Sequence, residues 1–312
     1  MIVAKNLTKK FDEFTAVEDV NLKVAAGEVL ALLGPNGAGK TTTIRMLTSV
    51  LRPTHGSALI GGYDVITESA KVRATVGVLT EHHGLYNRMR AKEYLAFFGE
   101  IYGLSLADRE QRAEKMLSDF DLMDAVDRRI GQFSKGMRQK LALGRALLHD
   151  PRVLLLDEPT SAMDPASARL VRDAISTLRS NDRAIIICTH NLAEAEELAD
   201  RIAIIRRGKI IANDTPETLK RNMLGSPTYE IRFSEAMNGK QPKLPAGIMP
   251  TENGKNWLRF ASEIPEDVNP QVVKGLVEQG FPVVSIQEIP RSLEQVYLQA
   301  VSVSDNGEVN AH

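Results

Sequence analysis

A short glycine-rich segment near the N-terminus carries the clearest chemistry in the sequence. It matches the pattern G-x-x-x-x-G-K-[ST] between Gly34 and Thr41. Gly37 and Gly39 let successive backbone N–H groups point at phosphate oxygens, and the helix that follows directs its positive end at the same charge. Lys40 is suited to reach the β and γ phosphates, and the Thr41 hydroxyl is suited to ligate magnesium. The segment predicts a site for a nucleoside triphosphate with magnesium, formed by Gly34, Pro35, Asn36, Gly37, Ala38, Gly39, Lys40, Thr41 and Thr42.

Two adjacent carboxylates follow an apolar run in the middle of the chain. Val153–Leu156 is continuous in hydrophobicity and is followed directly by Asp157 and Glu158. Open α/β sheets place their ligand chemistry at the carboxyl ends of such strands. Asp157 is suited to the magnesium ion, and Glu158 is suited to orient or deprotonate the water that attacks the γ phosphate. The sequence therefore predicts hydrolysis of the triphosphate, with Glu158 as a catalytic residue.

Short apolar runs alternate with helical patterns over the first two thirds of the chain, which indicates a sheet covered by helices. Val29–Leu33, Val153–Leu156 and Ala184–Cys188 are apolar throughout, as expected for parallel strands at the centre of a sheet. Residues 84–149 have mostly helical periodicity, with apolar residues at helical spacing at Leu95, Phe98 and Ile101 and again at Met116, Leu117 and Phe120. The predicted fold class is therefore α/β, a P-loop NTPase core with a mixed sheet and an inserted helical subdomain at residues 84–149.

The composition changes after Thr218, where prolines separate short pieces with strand or helix patterns. These pieces are Tyr229–Phe233, Trp257–Ala261, Val272–Glu278, Val283–Ile289 and Leu293–Ala300. We therefore expect residues 1–225 to form one domain and residues 226–302 a small α+β domain. Residues 303–312 are polar without periodicity and are predicted to be a disordered tail.

Charge and apolar content exclude several classes of protein. The 39 basic and 40 acidic side chains give a formal charge of -1, and nucleic acid is not expected as a partner because phosphate backbones favour a basic excess. No apolar stretch approaches the roughly 18 residues needed to span a bilayer, and the N-terminus lacks the pattern of a secretion signal. The single cysteine, Cys188, lies in an apolar run and is expected to be a buried hydrophobe. We expect a cytoplasmic protein.

A second motif opens a predicted helix upstream of the two carboxylates. With this motif, Phe133–Gln139, the sequence resembles the ATP-binding subunits of ABC transporters over residues 2–220. Those proteins carry a signature of the form L-S-G-G-Q at this place. Ser134 and Gly136 match the signature, whereas Lys135 and Met137 depart from it. The departure resembles the S-K-G-M variant of the subfamily that includes drug, sodium and antibiotic exporters.

Three further positions carry the resemblance. Asp164 stands in the D-loop place of the family, and His190 stands in the place of its switch histidine. Phe11 matches the aromatic residue that stacks on adenine, although Phe14 lies close enough to be that partner instead. The order and spacing of these motifs make the resemblance specific.

The resemblance implies how these residues bind ATP and magnesium. Each ATP is clamped between the phosphate loop of one chain and residues 134–137 of a second copy, where an N-cap at Ser134 leaves N–H groups of the helix free for an anion. Asp164 signals between the two sites, and His190 holds the γ phosphate and the attacking water. The magnesium ligands are Thr41, Asp157 and Glu81, of which Glu81 replaces the usual glutamine of the family.

The resemblance also implies partners and a place in the cell. It indicates a homodimer that drives a separate transmembrane permease from the inner face of the cell membrane. The resemblance favours export as the direction of transport. The alternative is a soluble ATPase of the same superfamily. Repair members insert long coiled coils and ribosomal members carry two cassettes, and this sequence has neither. A P-loop kinase would leave residues 134–139 without a role. The C-terminal domain loosely resembles that of exporter subunits and serves dimerisation, regulation or passive stabilisation.

Overall fold

The structure, a computed structural model, describes residues 1–80, 83–161, 163–180, 182–237 and 242–309. The contacts within the chain define two units, Met1–Pro216 and Glu217–Val303. This division precedes the boundary expected from the sequence, between residues 225 and 226. No helix within the described ranges is both long enough and apolar enough to cross a lipid bilayer.

The secondary-structure elements are numbered in chain order. The strands of the described chain are β1 (Ile2–Phe11), β2 (Phe14–Val24), β3 (Val29–Leu33), β4 (His55–Ile60), β5 (Tyr63–Asp64), β6 (Val76–Leu79), β7 (Val153–Asp157), β8 (Ala184–Thr189), β9 (Arg201–Arg206), β10 (Lys209–Asp214), β11 (Thr228–Phe233), β12 (Pro250–Asn253), β13 (Trp257–Ala261) and β14 (Val283–Glu288). The α-helices are α1 (Lys40–Leu47), α2 (Ser69–Thr75), α3 (Ala91–Ile101), α4 (Leu106–Asp119), α5 (Lys135–Leu147), α6 (Pro165–Thr177), α7 (Leu192–Leu198), α8 (Pro216–Leu224), α9 (Pro265–Glu278) and α10 (Leu293–Val309). Short 3-10 helices cover Met123–Ala125 and Ile130–Gln132.

A six-stranded sheet in the order β10-β9-β3-β8-β7-β6 lies at the centre of the first unit. Its strands are parallel except for β10, which pairs antiparallel with β9. Every residue of β3, β7 and β8 is buried, which confirms the predicted central parallel strands and the mixed sheet. The carboxyl ends of parallel strands share one edge. Gly34, Glu158 and His190 therefore emerge at the same edge of the sheet.

Side chains of the central strands alternate between two apolar cores, because successive residues of a strand point to opposite faces. Leu155 and Cys188 belong to the core that also contains residues of β1, β2 and β4. Those strands form a second sheet in the order β2-β1-β4-β5, with antiparallel pairing throughout. Leu154 and Leu156 face the other core, which contains residues of α3, α4 and α5. Cys188 is fully buried, as predicted.

The helices α3, α4 and α5 lie between β6 and β7 in the chain, within the segment expected to be a helical subdomain. Leu95, Leu117 and Phe120 are buried, in agreement with their helical spacing. Ile101, which the same spacing placed on the apolar face, is 59% exposed at the end of α3. The spacing of apolar residues therefore identified the buried face of these helices but wrongly included Ile101.

The second unit contains an antiparallel sheet in the order β12-β13-β11-β14. Ile231 and Phe260 from the sheet pack with Val272 and Leu276 from α9 in one apolar cluster. The helix α10 reaches Val309, so the structure assigns helix to residues that the sequence placed in a disordered tail. Residues 310–312 lie outside the described part of the chain. The strands and helices agree with an α+β unit.

We expect Gly77→Ala to destabilise the first unit. Gly77 lies in β6, where an added Cβ would come 2.1 Å from the Ala146 carbonyl oxygen and 2.7 Å from side-chain atoms of Leu154 and Pro151. Because backbone and packed side chains cannot yield freely, the substitution should lower the free energy of unfolding by about 1–3 kcal/mol. Urea denaturation followed by circular dichroism measures the change. An unaltered midpoint would show that the packing around β6 is looser than described.

Candidate functional site

The phosphate loop connects β3 to α1 and adopts a conformation that glycine permits. Gly37 and Gly39 have φ values of 80° and 107°, in the left-handed region that disfavours side chains with a Cβ. At Gly39, the residue before α1, a Cβ would lie 2.7 Å from the Ala16 carbonyl oxygen. The loop backbone therefore lies close to β2 of the same chain. The N-terminus of α1 is directed at the cleft beside the loop.

Lys40 and Thr41 connect the loop to the acidic end of β7. The Lys40 ammonium group is buried and donates hydrogen bonds to the carbonyl oxygens of Gly34 at 2.6 Å and Pro35 at 3.3 Å. Lys40 Nζ also lies 3.4 Å from Glu158 Oε1. The Thr41 hydroxyl donates to Asp157 Oδ2 at 2.8 Å. The two motifs that the sequence singled out thus meet through direct side-chain contacts.

Glu158 occupies a turn directly after β7. Its backbone has φ 52°, a conformation that costs energy for a residue other than glycine and that clusters at functional sites. The backbone N–H of Glu158 donates to the Cys188 carbonyl oxygen at 2.8 Å. Glu158 Oε2 lies 2.9 Å from His190 Nδ1. The carboxylate is therefore held between Lys40 of the loop and His190 at the end of β8.

These side chains surround one cleft with a volume of about 510 Å³, within the usual size range of ligand sites. The residues that line it are Phe14, Ala16, Pro35, Asn36, Gly37, Ala38, Gly39, Lys40, Thr41, Thr42, Asp157, Glu158, Ser161 and His190. The structure therefore brings most of the predicted nucleotide and catalytic residues together. Gly34 stands at the base of the loop and contributes its carbonyl oxygen to Lys40.

The aromatic residue at this cleft is Phe14. Phe11 is not among the lining residues, and its ring is 45% exposed with Lys9 Nζ 5.0 Å from the ring centroid. The two phenylalanines face each other across the β1–β2 hairpin. The geometry therefore favours Phe14, the alternative that the sequence left open, over Phe11 as the residue beside a bound base.

The signature residues lie away from the cleft of their own chain. Ser134 is the N-cap of α5, where its hydroxyl accepts a hydrogen bond from the Met137 N–H at 3.2 Å. Ser134 and Lys135 are exposed, and Gly136 and Met137 are half-buried. None of the four lines the cleft. The start of α5 therefore takes no part in the cleft that the described residues of its own chain form.

The structure describes Asp164, one of the other predicted site residues, but not Glu81. Asp164 is the N-cap of α6 and accepts hydrogen bonds from the N–H groups of Ala166 at 3.1 Å and Ser167 at 3.0 Å. The hydrogen bond from the Ser167 N–H contributes most to lowering the pKa of the Asp164 carboxyl. Glu81 lies outside the described residues, and its predicted contact with magnesium stays a prediction.

Two buried polar residues next to the cleft were not among the predicted site residues. Gln139 on α5 donates from Nε2 to the carbonyl oxygens of Glu158 at 3.1 Å and Pro159 at 2.9 Å. Glu194 on α7 accepts a hydrogen bond from the Thr160 hydroxyl at 2.8 Å, and burial raises the pKa of its carboxyl. The signal in the sequence that could have identified both residues is a polar side chain on the apolar face of an amphipathic helix.

Comparison with known proteins identifies the family. The profile of the ABC transporter family matches residues 17–161. The chain is 39% identical over 243 residues to the ABC transporter ATP-binding protein NatA of Bacillus subtilis, with 76% of this chain and 95% of NatA covered. It is 32% identical over 299 residues to the daunorubicin resistance ATP-binding protein DrrA3 of Streptomyces coeruleorubidus, with 95% of this chain and 94% of DrrA3 covered. The fold is also similar to a solved dimeric structure of the ATP-binding cassette MJ0796 in a post-hydrolysis state bound to ADP and Pi. The TM-score is 0.64 and the sequence identity 25%, with 69% of this chain and 98% of the MJ0796 chain covered.

The family match includes the motifs that form the cleft. The matched segment extends from β2 through the phosphate loop and the signature to the turn after β7. Relatives named for transport and for antibiotic resistance confirm the predicted resemblance to exporter-type subunits. The chain therefore belongs to the ATP-binding subunits of ABC transporters, which are ATPases.

Proposed function

We propose that the cleft binds ATP together with magnesium through residues 34–42, Asp157 and Glu158. The observation that carries this proposal is the convergence of Lys40, Glu158 and His190 on one cleft, with Asp157 beside Thr41. Thr41 Oγ1 and Asp157 Oδ2 lie 2.8 Å apart and supply oxygen ligands of the kind that magnesium binds. The two residues therefore fit a magnesium ion, which supplies charge neutralisation to the phosphates.

Glu158 is proposed as the general base of hydrolysis. Its carboxylate takes a proton from a water molecule whose oxygen bonds to the γ phosphorus, while the bond from that phosphorus to the β-phosphate oxygen breaks. His190 fixes the carboxylate through the 2.9 Å contact of its Nδ1 with Oε2, and its proposed second role is to hold the γ phosphate. Lys40 binds the β and γ phosphates with its ammonium group. Most of the rate enhancement then comes from positioning and charge.

A second copy of the chain is proposed to complete each site. The N-terminus of α5, capped at the Met137 N–H by the Ser134 hydroxyl, has a positive dipole end that suits the γ phosphate bound by the partner copy. The signature residues 134–137 do not line the cleft of their own chain, and related cassettes form dimers. Asp164 signals between the two sites. ATP then closes a homodimer, and hydrolysis opens it by removing the γ phosphate contacts.

An exposed apolar patch on the helical insertion is proposed as the docking surface for a membrane permease. The patch consists of Tyr86, Phe97 and Ile101, whose exposed fractions are 48%, 40% and 59%. Contiguous exposed apolar residues mark interaction sites. Arg145 of α5 donates to the Tyr94 hydroxyl at 2.8 Å, and the Tyr94 ring packs edge-on against Tyr86 of the patch with centroids 5.8 Å apart. These contacts connect the patch to the signature helix. The subunit then acts from the inner face of the membrane, in the direction of export.

Co-purification of the tagged full-length chain from membranes tests this docking. A polytopic membrane protein should be retained by the native chain and lost with Phe97→Glu, because a buried unpaired charge is costly at an interface. Leu106→Glu, which places the same charge on an exposed leucine of α4, serves as the control and should retain the partner. Capture of a non-membrane protein instead, unaffected by Phe97→Glu, would support the alternative of a soluble ATPase.

A further inference from the structure

A short turn after β7 connects the proposed base to the D-loop residues. This catalytic turn, Glu158–Ser161, is closed by a hydrogen bond from the Ser161 N–H to the Glu158 carbonyl oxygen at 3.2 Å. Its first residue has the left-handed φ of 52°. Because backbone in this region does not favour a side chain with a Cβ, other contacts must stabilise the turn.

Gln139 supplies such contacts from the signature helix. Its side chain is 3% exposed, and Nε2 donates to the carbonyl oxygens of both Glu158 and Pro159. Carbonyl oxygens only accept hydrogen bonds, so the amide nitrogen must face them and the amide orientation is determined. One buried side chain therefore satisfies two backbone groups of the catalytic turn.

The position of Gln139 on α5 gives this contact a consequence. Ser134 caps the same helix, so the helix start and the Gln139 amide lie on one rigid element. A displacement of α5 that accompanies contact with a phosphate would move the Gln139 amide and, through it, the Glu158 backbone. Small displacements of a reacting group have large effects on rate.

We infer that Gln139 is a positioning residue for ATP hydrolysis, which holds the catalytic turn and couples the start of α5 to the Glu158 carboxylate. The inference rests on the proposed role of Glu158 as the base. Gln139 is not among the residues that line the cleft, and its Nε2 donates to backbone carbonyl oxygens of the catalytic turn. Its removal should therefore affect the catalytic step and leave the binding of ATP intact.

Gln139→Met in the full-length chain tests the inference, because methionine keeps the side-chain length and has no donor. We expect kcat for ATP hydrolysis to fall about tenfold or more, with an unchanged Kd for ATP. The kcat of Gln139→Glu should fall further, since a carboxylate would face two carbonyl oxygens. Gln111→Met makes the same chemical change on an exposed position of α4 and should keep the native rate.

A double variant distinguishes a positioning effect of Gln139 on Glu158 from unspecific damage to the protein by the substitution. If Gln139 acts through Glu158, then Gln139→Met added to Glu158→Gln should not lower the single-turnover rate further, since effects within one functional unit are not additive. A native kcat in Gln139→Met, an equal loss of ATP affinity, or a fully additive double variant would overturn the inference. Retained turnover in Glu158→Gln alone would instead reject the proposed base.

Discussion

Glu158→Gln should lower ATP turnover about 100- to 10,000-fold, the range by which a general base accelerates a reaction. The amide retains the shape of the carboxylate but cannot take the proton from the attacking water. ATP affinity should persist because Lys40, Thr41 and the loop backbone remain. Phosphate release measures turnover, and titration with a fluorescent ATP analogue measures affinity. Glu114→Gln changes an exposed carboxylate of α4 and should leave both quantities unchanged.

The same variant should accumulate a dimer when ATP is present. Each ATP would be retained between the phosphate loop of one copy and residues 134–137 of the other, because the γ phosphate is no longer removed. Gel filtration with and without ATP measures the change in size. An exclusively monomeric protein at saturating ATP would contradict the proposed clamp, even if turnover were lost as expected.

Lys40→Ala should weaken ATP binding on the order of 100-fold or more, because hydrogen bonds to charged groups contribute about 1.5–3 kcal/mol each. The buried ammonium group lies within the loop, held by the Gly34 and Pro35 carbonyl oxygens. It is therefore already placed where phosphate oxygens would be bound. Calorimetric titration with ATP measures the loss. Lys92→Ala removes an exposed lysine of α3 and provides a matched control.

Two results would bear differently on the Lys40 prediction. Native ATP affinity in a folded Lys40→Ala protein would reject the phosphate-loop assignment. A collapse of the circular dichroism spectrum would show that the lysine mainly stabilises the loop carbonyls. Lys40→Met keeps most of the apolar stem and should restore the fold without restoring affinity, which distinguishes the two effects.

Local patterns predicted the central sheet and the phosphate loop well. The strands β3, β7 and β8 were visible because burial on both faces requires a continuous apolar run. The sheet that contains β1 was not visible in the same way. Ile2 pairs with both Val24 and Ile60, and such pairing between distant segments leaves no local pattern in a sequence.

Side-chain direction limited the prediction of the site. Phe11 and Phe14 are paired across one hairpin, and spacing alone does not say which of them faces the cleft. Gln139 belongs to a recognised motif, but its contacts with the Glu158 and Pro159 carbonyl oxygens depend on how α5 is rotated against β7. Such contacts arise from packing between elements, and only coordinates contain that information.

The fully buried thiol of Cys188 has a practical consequence for measuring the proposed dimer. It is the only cysteine of the chain, and burial raises its pKa well above the ordinary value. Because the thiolate is the reactive form, maleimide reagents should leave Cys188 untouched in the folded protein. Fluorophores or spin labels can therefore be attached to a single cysteine introduced on the surface, without first removing a native one from β8.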